Sequence, residues 1–301
     1  MINNIPEFLY HLLIAQYGKN LTNTIIEGYS QKRPITLRAN TLKNNIQNIK
    51  HTFDSFGIPY KEVSWYKEAL IIENISEQQI KDLDIYKNGE IYLQSLSSMM
   101  PPIVLSPKED ENILDMAAAP GGKTTQMLAL SQNKAYITAC EKNKIRAERL
   151  QYNLNKQNAN RVNVMIKDAR QLDDFFSFDK ILLDAPCSGS GTISIFDKKL
   201  EATFTEDLVN RSSKVQADLL KKAITLLKSG HEMVYSTCSI LSKENEEILQ
   251  KFIKLKKVEV IPIDTLPFSD AIFLPTSIKG TLCICPSKLF EGFYVAKLRK
   301  L

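Results

Sequence analysis

The sequence predicts an α/β fold: a mostly parallel sheet with helices on both faces, preceded by a smaller α+β module. Three observations predict it. From residue 113 onward, short apolar runs alternate with amphipathic segments of helical length, the pattern of a parallel sheet covered on both sides. The glycine turn, the acidic residues and the paired cysteines that carry chemistry follow such runs, at the strand ends where open α/β sheets take ligands. Finally, a polar, charged seam at 105–112 (LSPKEDEN) separates this region from a mixed pattern upstream. The expected division is 1–105 and 106–301.

In chain order, residues 6–17 have the spacing of an amphipathic helix, and 35–39 and 69–72 read as strands. Ile46, Ile49, Phe53 and Phe56 recur at helical spacing over 45–56, and Gly57 ends that segment. Past the seam, 113–116 is a short strand and a helix starts near Gly121 and runs through Leu130. A strand is expected at 135–140, then a helix at 143–155 with Ile145, Leu150 and Leu154 on one face. Strands at 162–166 and 180–184, a long helix at 207–228, a strand at 231–235, a helix at 243–255 and a last strand at 293–298 complete the reading.

Composition excludes several classes. The 301 residues are 44% hydrophobic and 24% charged, so a sizeable core is available. No apolar run approaches the ~20 residues of a membrane span, and the N-terminus has no basic segment followed by a small-residue cleavage site. The expectation is a cytoplasmic protein. Five cysteines, an odd number without an export signal, argue against a disulfide framework. No CxxC pair exists and only three histidines are present, so no metal site is expected. The net charge is +5, and all of it falls after residue 105, where 29 basic residues meet 24 acidic ones. Nucleic acid suits that balance.

The run Asp115 to Thr125 (DMAAAPGGKTT) ends a strand and opens a helix. Its small side chains at Ala117, Ala118, Ala119, Pro120, Gly121 and Gly122 let backbone approach a ligand, and a helix N-terminus offers N–H groups to an anion. A phosphate-binding P-loop needs glycine where Ala117 stands, so an ATPase is excluded. Glu141 follows the next strand, placed to accept from ribose hydroxyls. Asp168 follows the third, placed to accept from an adenine amino group. An adenosine-containing cofactor follows, and the lack of G-x-G-x-x-G disfavours NAD.

Two cysteines stand just after buried-strand patterns, Cys187 in DAPCS and Cys238 in STCS. Two thiols at strand ends, with a cofactor turn elsewhere in the same fold, point to covalent catalysis with an imported reactive group. The residues alone do not say which thiol attacks. Cys140, Cys283 and Cys285 read as small buried apolar residues.

These motifs, with Asp168-Ala169-Arg170 and DAPCSGSGT, resemble the S-adenosylmethionine-dependent RNA cytosine-C5 methyltransferases, the family of bacterial Rsm-type rRNA methylases and of Sun-domain enzymes. The likeness runs from about Arg38 to Lys297 and includes RANTLK at 38–43, QSLSSM at 94–99 and GFYVA at 292–296. It implies a Rossmann-like seven-stranded methyltransferase sheet behind a small N-terminal α+β, RRM-like, RNA-binding module. It implies S-adenosyl-L-methionine as cofactor, held by residues 117–123, Glu141, Asp168 and Asp184. The compact form is most similar to archaeal-type tRNA enzymes. It implies RNA as the partner, tRNA ahead of rRNA, and a monomer. A family-typical NusB-like extension and a C-terminal RNA-binding appendage are not part of the pattern.

The resemblance also orders the thiols. Cys238 is the implied nucleophile, adding to C6 so that C5 can attack the methyl sulfonium. Cys187 would break the adduct, Asp184 would bond the base edge, and Lys123 would supply positive charge. Arg38, Asn40 and Lys43, and the basic face Lys142, Lys144, Arg146 and Arg149, are expected on RNA phosphates. Two other readings stand beside this one: methylation of a different acceptor, which needs no thiol, and a non-catalytic RNA-binding assembly factor on the same fold.

Overall fold

The structure, a computed structural model, describes residues 5–197 and 199–301. The chain divides into two units that do not follow the sequence in single pieces. One comprises Pro34–Asp173 with Phe178–Leu182; the other comprises Met1–Arg33, Asp174–Ser177 and Leu183–Leu301.

The unit beginning at Pro34 opens with a four-stranded antiparallel sheet. Its strand order is Tyr60–Glu62, Ala69–Ile72, Ile35–Ala39, Ile91–Leu93. The helix Ile46–Ser55 packs Ile46, Ile49 and Phe53 against Leu37, Leu70, Ile72 and Ile91 of that sheet. The helix starts where the Asn45 side chain accepts from the Asn48 N–H at 2.9 Å. It stops one residue before Phe56, which is therefore exposed, and Gly57 follows in the left-handed region at φ +62°. Leu96–Leu105 is a helix, which its tandem Pro101-Pro102 concealed in the sequence.

Parallel strands follow in the same unit. Asn112–Asp115 pairs on one side with Tyr136–Cys140 and on the other with the end strand Phe178–Asp184, and Tyr136–Cys140 pairs with Val162–Met165. The helices Gly122–Leu130 and Lys144–Lys156 are the crossovers. The face expected to hold Ile145 instead buries Ala147, Leu150 and Leu154, and Ile145 is 64% exposed. Asn143 caps that helix through the Arg146 N–H at 3.1 Å, which leaves Ile145 in the solvent-facing first turn.

Arg38 and Asn40, expected on RNA, are buried instead. The Arg38 guanidinium donates to Gln94 Oε1 at 2.9 Å, Gly122 O at 3.0 Å and Thr125 Oγ1 at 2.7 Å, and it stacks over Tyr92. Asn40 donates to the carbonyls of Gly89 and Gln157, each at 2.8 Å. Both side chains spend their polar groups inside the fold. Lys43 is exposed and bonds Asn88 O at 2.7 Å.

In the other unit, the first helix runs Glu7–Tyr29 rather than ending near Tyr17. Gly18, at φ +72° and ψ 170°, breaks its geometry without ending it. Leu9, Leu13, Ile25 and Ile26 face inward. The long strand Leu227–Thr237 pairs with Phe293–Lys300, which pairs with Leu282–Ile284 and Val258–Ile261; every one of these pairings is antiparallel. The parallel expectation does not hold for these pairings. The helices Glu206–Leu226 and Glu246–Lys254 complete the unit.

Candidate active site

Functional side chains gather in each unit. In the first, Asp115, the Ala117 to Gly122 turn, Glu141 and Asp168 all lie at the C-terminal ends of adjacent parallel strands. Asp115 is buried and accepts from Thr124 Oγ at 2.7 Å, which locks the strand end to the first turn of the following helix. The turn closes through Gly121 N–H to Ala118 O at 2.8 Å, and Ala118 N–H reaches Cys140 O at 2.9 Å. Gly121 sits at φ +106°, and a Cβ there would lie 2.9 Å from Leu150 Cδ1. Only glycine suits both constraints.

Carbonyls of the turn point back into the chain. Ala119 O accepts from Arg146 at 2.8 Å, Pro120 O from Asn153 at 2.8 Å, Gly121 O from Thr125 Oγ at 2.7 Å and Gly122 O from Arg38. Arg146, expected on RNA, is thus a brace of the turn; Lys142, Lys144 and Arg149 are exposed.

Glu141 is buried. Its Oε1 accepts from Asn143 N–H at 2.9 Å and its Oε2 lies 3.4 Å from Arg146. Asp168 caps the turn Ala169–Gln171 and holds the Arg170 guanidinium at 3.1 and 2.7 Å. That contact keeps its carboxyl below the usual carboxylate range. The Lys123 ammonium donates to Ser98 Oγ at 2.7 Å.

In the second unit, Asp184 closes its strand and accepts from Ser236 Oγ at 2.7 Å, while Ala185 N–H bonds Ser236 O at 2.8 Å. Those two bonds align the loop after Asp184 with the loop after Thr237. The alignment brings Cys187 Sγ to 2.8 Å from Cys238 Sγ. Both residues are half-buried and both thiols are free. The bond to Cys238, burial and the charge of Glu244 push the Cys187 thiol well above its ordinary range. Within the pair, either thiol can donate to the other's sulfur.

Sequence reasoning missed Glu244, Asn245 and Gln216. Glu244 is wholly buried, between the two cysteine loops. It accepts from Ser188 N–H at 2.7 Å, Ser188 Oγ at 2.6 Å and Ser239 Oγ at 2.6 Å. Asn245 donates to Ser239 O at 2.9 Å and accepts from Thr237 Oγ at 2.6 Å. Gln216 donates to Pro186 O at 2.9 Å. One signal was available: Gln216 interrupts the apolar stripe Val209, Leu219, Leu220, Ala223 of its helix. A polar residue on a buried face demands a partner.

The other three cysteines are wholly buried. Burial pushes the Cys140 thiol up to about 12 and that of Cys285 up to about 11. Cys283 is raised further, and its sulfur lies 3.7 Å from Tyr17 Oη. Among the described residues no group of three or more metal-ligating side chains occurs, and no helix is long and apolar enough to cross a membrane.

Residues 102–299 match the family model for the 16S rRNA methyltransferase RsmB/F, and residues 5–77 match that of the ferredoxin-like domain of the same group. A Pyrococcus abyssi tRNA (cytosine(49)-C(5))-methyltransferase is 36% identical, over 90% of this chain and 89% of its own. A Mus musculus 28S rRNA (cytosine-C(5))-methyltransferase is 32% identical over 98% of this chain. The chain spans only 38% of that mouse enzyme and 63% of a similar Shewanella ribosomal RNA small subunit methyltransferase F. A solved methyltransferase homolog from Pyrococcus horikoshii superposes with TM-score 0.81 at 34% identity, covering 96% of this chain and 93% of that one. NSun6 from Pyrococcus horikoshii, solved with SFG, has TM-score 0.87 at 24% identity and supports the fold alone. The Rossmann-like methyltransferase fold with a small N-terminal ferredoxin-like domain is as the sequence predicted.

Proposed function

Because the chain belongs to the RsmB/F methyltransferase family, we propose that it methylates C5 of a cytosine in RNA through a transient bond from the Cys238 sulfur to C6 of the base. The observation that carries this reading is the Cys187–Cys238 pair, two free thiols with their sulfurs 2.8 Å apart. Methylation of nitrogen or oxygen needs no such pair, and an assembly factor without catalysis needs neither thiol.

The chemistry follows from the weakness of C5 as a nucleophile. Thiolate addition to C6 turns the ring into an enamine, whose C5 bonds the incoming methyl. C5 then loses its proton, and the Cys238 sulfur leaves by elimination, restoring the ring. Cys187 serves that release from its place against the Cys238 sulfur. Asp184 bonds the amino or ring-nitrogen edge of the base, held in orientation by Ser236. Lys123 supplies positive charge from the first turn of its helix.

S-adenosyl-L-methionine supplies the electrophilic methyl when bound. The residues present suit such a group. Buried Glu141 and half-buried Asp168 follow adjacent strands, beside a turn whose side chains are methyls, a proline ring or hydrogens and whose carbonyls are turned away by Arg38, Arg146 and Asn153. Ala117, Ala118, Ala119, Pro120, Gly121, Gly122 and Lys123 would hold the methionine end. Glu141 would take the ribose hydroxyls and Asp168 the adenine edge. The small sheet of residues 35–93, with exposed Lys43, would hold RNA, and the functional boundary is proposed near residue 105.

tRNA is the favoured substrate, since the archaeal tRNA enzyme matches this chain over nearly the full length of both. rRNA is the second reading, since the chain matches rRNA enzymes at similar identity. Bisulfite sequencing of total RNA from cells with and without the protein tests the activity and finds the target. Loss of no single 5-methylcytosine on deletion, and gain of none on expression, would refute it.

A further inference from the structure

Glu244 is a carboxylate buried between the two cysteine loops, and it is costly to bury there. It does more than fill space. Its oxygens accept from the backbone and hydroxyl of Ser188, which follows Cys187, and from the hydroxyl of Ser239, which follows Cys238. One charged group thus holds the residue next to each sulfur. Gln216 at 3.4 Å is a further donor to the same carboxylate, and it grips Pro186 O from the other side of the first loop.

We infer that Glu244 is a positioning residue: its carboxylate fixes the two cysteine loops so that the sulfurs of Cys187 and Cys238 face each other. This rests on the reading of Cys238 as nucleophile and Cys187 as the residue that serves release. An apolar brace could align two loops, but it could not act on the thiols. The negative charge of Glu244 also opposes ionisation of Cys187, adding to the effects of the Cys238 bond and of burial, against the Gly189 N–H. Tyr235, buried and un-ionised in the neutral range, also faces Cys187. Glu244 therefore favours the protonated form of Cys187.

The test needs no RNA. The full chain is alkylated with iodoacetamide from pH 6.5 to 10, and modification of Cys187 is followed by mass spectrometry in wild type, E244Q and E244D. E244Q keeps a planar group but removes the charge, and the Cys187 midpoint should fall by about one pH unit. E244D keeps the charge and should hold the wild-type midpoint. An unchanged midpoint in E244Q overturns the inference, as does an equal fall in both variants. Should E244Q not fold, S239A removes one hydroxyl and leaves the charge; peroxide closure of the Cys187–Cys238 disulfide should then slow about tenfold, since sub-ångström misplacement of reacting atoms is costly. An unchanged closure rate overturns the inference. In single-turnover methylation, E244Q should slow product release about tenfold more than adduct formation. Inactivity of the wild type on every RNA, with the Cys187 shift present, would sink the methylation reading and leave the clamp standing.

Discussion

Cys187 and Cys238 come from loops that follow different strands, yet their sulfurs lie 2.8 Å apart and neither is in a disulfide. The bond to Cys238, burial and the charge of Glu244 hold the Cys187 thiol above its ordinary range. Cys238→Ala should lower methylation by about 10³-fold or more while leaving cofactor affinity within about twofold. Cys187→Ala should form the bond to RNA and fail to release it, slowing turnover about 10²–10⁴-fold. A gel band retarded in denaturant, present with Cys187→Ala and absent with Cys238→Ala, checks both. The reverse pattern would exchange the roles.

The same closeness makes the pair sensitive to oxidation. One equivalent of hydrogen peroxide takes two electrons and two protons from the thiols, yielding a disulfide and two waters. Activity should fall with the loss of both free thiols and return with dithiothreitol. Peptide mapping should show the 187–238 link; modification of the wholly buried Cys140, Cys283 or Cys285 in its place would contradict the exposure pattern.

Buried thiols give the fold an alkaline limit. Below pH 9, the ordinary thiol value, Cys285 and Cys140 are neutral in both folded and unfolded chains and cost nothing. Above pH 9 the unfolded chain ionises them, while the folded chain holds its protons to about 11 and about 12. Stability therefore falls as pH rises from 9 towards 11. Calorimetric melting at pH 8, 9, 10 and 10.5 should show Tm dropping steadily past 9, and Cys285→Ala should drop less steeply.

Arg38 holds the Ala117 to Gly122 turn from inside. Arg38→Ala leaves Gly122 O and Thr125 Oγ without that donor, and a cost of about 3 kcal/mol is expected. Arg38→Lys should recover little, because one ammonium cannot span Gln94, Gly122 and Thr125. Urea unfolding measures the first effect. Titration with S-adenosylhomocysteine should show affinity weakened about tenfold or more in both variants; unchanged affinity would detach Arg38 from the turn.

Much of this was legible in the sequence because it lies in local pattern. The helix 122–130 announces itself through Gly121-Gly122, and the strand ends through their cysteines and acids. Signals that depend on distant partners were not legible. Arg38 reads as a surface cation until its three acceptors, 56 to 87 residues away, are in place. Glu244 reads as part of a helix start, because its donors come from residues 188 and 239. Antiparallel return of the last strands is likewise a property of pairing, and alternation of apolar runs carries no sign of direction.

Tyr17 and Tyr29 of the first helix donate their hydroxyls to Ile240 O and Ser190 O, one on each cysteine loop. The opening thirty residues are thus part of the scaffold under the thiols. A fragment cut at residue 105 to isolate the catalytic portion would strip both carbonyls of these donors and open the loops to water. Anyone seeking a minimal active enzyme should trim elsewhere, or supply the first helix as a separate peptide and look for activity regained.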